Sequence, residues 1–142
     1  MEHPIEFFSE DIEFSLDNPE QISDWIADII EHHEHELVSL TYIFCSDDYL
    51  HQINLEYLDH DTLTDIITFD NADMEGTIEG DIFISVDRVR DNATTHGTSF
   101  HDELHRVLIH GVLHLLGFKD KTPEQEVAMR ELEDSSLSLR KF

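Results

Sequence analysis

Two histidines four residues apart, His110 and His114, stand in an apolar run from Leu104 to Leu116. At about 100° per residue an α-helix stacks that spacing on one face, so both imidazoles can reach one cation. Gly117 follows where a helix often ends in a left-handed residue, which lets the chain reverse and return Asp120 toward the rings. Two imidazoles and one carboxylate are the ligand set of an open catalytic metal site. Zinc suits such a set, with the fourth position left to water, and the expected chemistry is hydrolysis of a phosphodiester or an amide. A zinc protease would carry a glutamate beside the first histidine as its base, and that position is Gly111. A structural zinc is disfavoured because no cysteine is near and three protein ligands leave the shell open.

Other residues of the same types need separate readings. His101 and His105 repeat the spacing, but on a helical wheel His105 falls inside the arc of Leu108, Val112 and Leu115, so this pair reads as helix-face or core histidines. His110 and His114 lie outside that arc, on the side of Glu103, which is either solvated or an acceptor that fixes a ligand tautomer. Thr64 and Asp65 either orient the site or serve as a turn device. His32, His33 and His35 read as a solvated helix end. No residue is singled out as nucleophile or general base.

The elements that must position these groups follow from periodicity and capping. A chain of 142 residues, 39% of them hydrophobic, suits one domain over 1–142 with one core. Partial alternation over residues 5–16 predicts one strand or two short ones. Asn18-Pro19 supplies a cap and a first helical proline for a helix through Ile22, Trp25, Ile26, Ile29 and Ile30, ending near His33. Residues 37–45 are β-branched and aromatic, and Ser46-Asp47-Asp48 then starts a helix through Tyr49, Leu50, Ile53 and Tyr57. Strands Ile66–Phe69 and Gly80–Val86 are expected as neighbours, Asp87 as the cap of the next helix, and Gly97-Thr-Ser as the entry to the metal-bearing one. Thr122-Pro123 opens the last helix, through Val127, Met129 and Leu132. The order β-α-β-α-β-β-α-α-α predicts an α+β domain whose small mixed four-stranded sheet packs against the long His110 helix and several others.

Charge narrows the partners. Of 33 acidic residues, 24 lie in residues 1–87, where there is no lysine or arginine, while residues 88–142 hold nine acids and all eight bases. An acidic half repels a polyanion and keeps the protein soluble, so any nucleic acid is expected at the nearly neutral half, near Arg106, Lys119 and Lys121. The first residues show neither a basic leader nor a long apolar segment, and the expectation is a cytoplasmic protein with no membrane partner. The single cysteine, Cys45, lies in an apolar run and has no disulfide partner.

The stretch His110-Gly-Val-Leu-His-Leu-Leu-Gly-Phe resembles the His-Gly-x-Leu-His-Leu-x-Gly-Tyr core of the YbeY family of metal-dependent endoribonucleases involved in ribosomal RNA maturation. Asn54-Leu-Glu-Tyr57, Thr64-Asp-Ile-Ile-Thr-Phe69 and Gly80-Asp-Ile-Phe-Ile-Ser85 resemble further blocks of that family, in the same order, so the likeness spans roughly residues 40 to 135. The resemblance implies an α+β fold, one zinc ion, and single-stranded RNA and the ribosomal subunit or its proteins as partners. It also sharpens Asp120, which stands where the family pattern has a third histidine. A carboxylate there makes the ion a weaker Lewis acid and admits manganese or iron(II). Leu58 stands where many members have an arginine, so phosphate contact falls to Arg106, Lys119 or Lys121. The alternatives are a non-catalytic ribosome assembly factor with a structural metal, and a metal-dependent hydrolase of another substrate.

Overall fold

The computed structural model of the chain describes residues 3–58 and 64–142. Its elements are β1 (Ile5–Ser9), α1 (Pro19–His32), β2 (Glu36–Cys45), α2 (Asp47–Leu58), β3 (Ile66–Asp70), β4 (Thr77–Ser85), α3 (Val86–His96), α4 (Phe100–Leu115) and α5 (Pro123–Leu137), in the expected order. The four strands form one mixed sheet in the order β1-β2-β4-β3. β1 and β4 run parallel to β2, whereas β3 pairs antiparallel with β4, with Ile66 opposite Ile84 and Asp70 opposite Gly80. β3 is therefore an edge strand.

The sequence reason for this sheet is clearest in β4, where Ile78, Ile82 and Ile84 are buried and alternate with Glu79, Asp81 and Phe83. The isoleucine face, with Leu40, Tyr42 and Phe44 of β2, meets α1 and α4 in the main core. The opposite face is covered by α2 through a smaller cluster of Cys45, Leu50, Ile53 and Ile67. The Cys45 thiol is buried and pushed up to about 12, by burial first and then by nearby carboxylates such as Asp11, which leaves it chemically quiet.

Three local expectations are corrected. Residues 5–16 are strand only to Ser9, because Asp11 turns the chain in a left-handed conformation (φ 43°) and its carboxylate accepts from Ser46 N and Oγ. The alternation continues past that turn as side-chain burial alone, with Ile12, Phe14 and Leu16 packed on the core. Asn18 is left-handed and makes no side-chain cap, so α1 relies on Pro19 for its start. The α3 cap is Ser85, whose Oγ accepts from Arg88 N, while Asp87 accepts instead from Asp47 N at the head of α2.

α4 carries the histidines and is buried along most of its length. The Tyr42 hydroxyl donates to the Leu108 carbonyl at 2.9 Å, tying β2 to the helix. Trp25 Nε1 donates to the Ser136 carbonyl at 2.8 Å, which fastens α5 to α1. His105 is buried as expected, its Nδ1 accepting from Arg140 at 2.7 Å, and His101 is exposed beside Asp17. At Gly111 the helix backbone comes so close to the sheet that a Cβ would lie 2.9 Å from Ile82 Cδ1 and 3.0 Å from Ile66 Cδ1. Gly111→Val is expected to lower stability by about 1–3 kcal/mol through overpacking, read as a drop in the urea midpoint at unchanged slope. An unchanged midpoint would show that this contact does not set the helix–sheet distance.

Candidate metal centre

α4 ends in a Schellman turn. Gly117, at φ 105°, donates to the His114 carbonyl at 3.0 Å, and Phe118 donates to the Leu113 carbonyl at 3.0 Å. The reversal returns residues 118–120 along the helix end and brings Asp120 back to the imidazoles. His110 Nε2 and His114 Nε2 are 3.1 Å apart, and each lies 3.4 Å from Asp120 Oδ2. Metal–ligand bonds of about 2.0–2.1 Å at the tetrahedral angle separate donors by roughly 3.3 Å, so the three atoms already match a single small divalent cation. Among the described residues this is the one group of at least three His, Cys, Asp or Glu side chains converging in that way.

Glu133, on α5, is the residue that sequence reasoning missed. Its Oε2 accepts from His110 Nδ1 at 2.6 Å, while its Oε1 accepts from Arg106 at 2.9 Å. With the Nδ1 proton committed to Glu133, His110 presents the Nε2 lone pair to the pocket. The signal in the sequence was a carboxylate on a core stripe: Met129, Glu133 and Ser136 are the buried residues of α5, whereas Val127, expected on that stripe, is exposed. Glu103 does not play this part. It is buried, neither solvated nor on a ligand, with its carboxylate 3.5 Å from His96 Nδ1.

The protonation states are ordered by these contacts. Burial alone would lower His110, but the hydrogen bond and charge of Glu133, with Asp120 and Asp65, raise it above the usual imidazole value. Burial lowers His114, and the charge on His110 lowers it further. Burial would raise Glu133, but the hydrogen bonds and charges of His110 and Arg106 hold its carboxyl below the usual range. The two Nε2 atoms, 3.1 Å apart, face each other across the position a cation would take. Because the folded value of His110 is raised, its contribution to the stability of the metal-free chain is present below the unfolded value of 6.5. It is lost as pH rises through the raised value.

The pocket in front of the histidines has a volume of about 410 Å³ and is walled by α2 (Asn54, Leu58), by Thr64 and Asp65 ahead of β3, by Ile66 to Thr68 at its start, and by Lys121. Thr64 and Asp65 divide their roles: the Thr64 hydroxyl bonds the Ile66 carbonyl as a local brace, while Asp65 faces the pocket. Burial raises the Asp65 carboxyl, opposed first by the charge of His110. Of the three candidate phosphate contacts, Lys121 lines the pocket; Arg106 is paired to Glu133 and Asp134, and Lys119 lies outside the lining. His33 is packed against Phe118, with ring centroids 5.5 Å apart, so the histidine-rich helix end is less solvated than its composition implied. In the metal-free protein, Glu133→Gln is expected to move the NMR titration midpoint of His110 down and that of His114 up; unmoved midpoints would remove Glu133 from this role.

Comparison with known proteins identifies the family. The family model described as "Endoribonuclease YbeY" matches residues 5–140. The chain is similar to proteins named "Endoribonuclease YbeY" from Cytophaga hutchinsonii, at 54% identity over 99% of both chains, and from Amoebophilus asiaticus, at 54% identity over 91% of this chain and 88% of the other. A third from Christiangramia forsetii is 49% identical over 95% and 93% of the two chains. The solution structure of TM1509 from Thermotoga maritima superposes with a TM-score of 0.63 at 25% identity, covering 94% of this chain and 89% of that one. With residues 5–140 matched by the family model and a relative 54% identical over nearly the whole length, the chain belongs to the endoribonuclease YbeY family.

Proposed function

We propose that His110, His114 and Asp120 hold one divalent cation and that the chain uses it to cleave single-stranded RNA, ribosomal RNA in particular, in the cytoplasm. The observation that carries the reading is the donor triangle of 3.1 to 3.4 Å with Glu133 braced behind His110. Family membership supplies the reaction class, because the relatives are named as endoribonucleases. No helix of the described residues is long and apolar enough to cross a membrane. Contact with the ribosomal subunit or its proteins is part of the same proposal.

A bound cation supplies Lewis acidity toward a phosphate oxygen or a water, and protein groups do the rest. Glu133 keeps His110 in the tautomer that offers Nε2. Lys121 contributes positive charge at the pocket where Leu58 cannot. Asp65, held in a partly desolvated position facing the same pocket, is placed to hold or accept a proton. Two imidazoles with one carboxylate favour zinc, and the anionic ligand extends the range to manganese and iron(II).

Metal analysis is expected to find about one ion per chain, and His114→Ala to lose both the ion and chelator-sensitive cleavage of labelled ribosomal RNA. Full cleavage by a metal-free His110→Ala, His114→Ala double variant would remove the metal from the mechanism. Asp120→His, which converts the set to three imidazoles, is expected to retain an ion and to shift preference from manganese toward zinc, read by competition between the two metals.

A further inference from the structure

Behind the metal pocket, on the other side of α2, lies a second depression of about 660 Å³ on the sheet face that α2 only partly covers. Its walls are aromatic. Tyr57 meets Phe69 edge to face with centroids 6.0 Å apart, Phe69 meets Phe83 in the same way at 5.8 Å, and Tyr57 is 67% exposed. A large aromatic left this open on a helix end, with its ring steered by a second aromatic beneath it, is not required by the core.

The cleft and the metal pocket share walls. On α2, Asn54 and Leu58 face the metal pocket, whereas Tyr57 faces the cleft; on β3, Thr68 lines the first and Phe69 the second. The separation is therefore about one helix diameter, ~10 Å. The electrostatics of the two differ in kind. The metal pocket has Lys121 and the cation-gathering triad, while the cleft is lined by Glu56 and Asp81 and, among the described residues, by no lysine or arginine. Phosphate is thus repelled from the cleft, but a neutral ring is not. Its polar groups suit base edges: Asp81, which accepts from Asn71 Nδ2 at 3.2 Å, has acceptor capacity to spare for an exocyclic amine.

We propose that this cleft is a nucleobase subsite, in which Tyr57 stacks a base of the same RNA strand whose phosphodiester lies in the metal pocket. It rests on the RNA reading above and adds the means of holding the strand. A single strand alternates anionic and neutral aromatic parts, and the surface around α2 offers a matching pair of sites. Stacking tolerates all bases, so in a chain of formal charge -25 it adds a contact with RNA to the few that Lys121 and a bound cation supply.

The test measures binding of the metal-loaded protein to a short, 2′-O-methyl single-stranded oligoribonucleotide by fluorescence polarisation. Tyr57→Ala is expected to weaken binding by about 5- to 100-fold with metal content unchanged, while Tyr57→Phe and Tyr57→Trp bind as the unsubstituted protein does. Moving an abasic residue along the oligonucleotide should weaken the unsubstituted protein at one position, and Tyr57→Ala should be insensitive there. Equal binding by Tyr57→Ala, or an equal loss in Tyr57→Phe, would overturn the subsite and leave the RNA reading standing. If the unsubstituted protein binds no single-stranded RNA, the RNA reading fails and the subsite fails with it.

Discussion

The arrangement depends on a carboxylate drawn out of water between two hydrogen-bond donors, an arginine and a histidine. Glu133 is buried, and a lone carboxylate there would take up a proton; it stays charged because Arg106 donates to one oxygen and His110 to the other. The same contact does three things. It joins α5 to α4, it fixes the orientation of one ring, and it decides which nitrogen carries the proton. Removing any partner leaves the others with uncompensated charge, so the packing of the last helix and the chemistry of the pocket are parts of one network.

Two close approaches set the rest. Gly111 lets α4 lie directly on Ile82 and Ile66, which brings the exposed side of that helix to the level of the β3 edge. The Tyr42 hydroxyl fastens the helix from the sheet side. The imidazoles therefore sit on an element with little freedom to shift, and the pocket is walled by α2, β3 and α4 at once.

Much of this was legible in the sequence because it is written in short-range patterns. The alternation in β4, the proline at Pro19, the capping box at Thr122 and the four-residue histidine spacing each act within a few residues, and each has its counterpart in the fold. Gly117 announced the reversal that brings Asp120 to the histidines, and there a local rule had a long-range effect. What escaped were partners chosen by tertiary packing. Glu133 lies 23 residues from His110, and nothing local distinguishes it from the neighbouring acids of α5 except its place on the buried stripe. Arg106 looked like a free cation because the sequence does not say that two carboxylates of α5 take it up. Asp11 broke an alternating segment through a bond to Ser46, 35 residues away.

The turn at Gly117 has a consequence for how such a centre diversifies. Two of its three candidate donors are built into a packed helix, and one of them is also tied to Glu133 of α5. The third is carried on a short return loop held by two main-chain hydrogen bonds and a glycine, none of which involves the side chain at position 120. Donor identity at that position is thereby decoupled from folding. A lineage can exchange imidazole for carboxylate there, retuning the electrophilicity of a bound ion, at little cost to the stability of the scaffold.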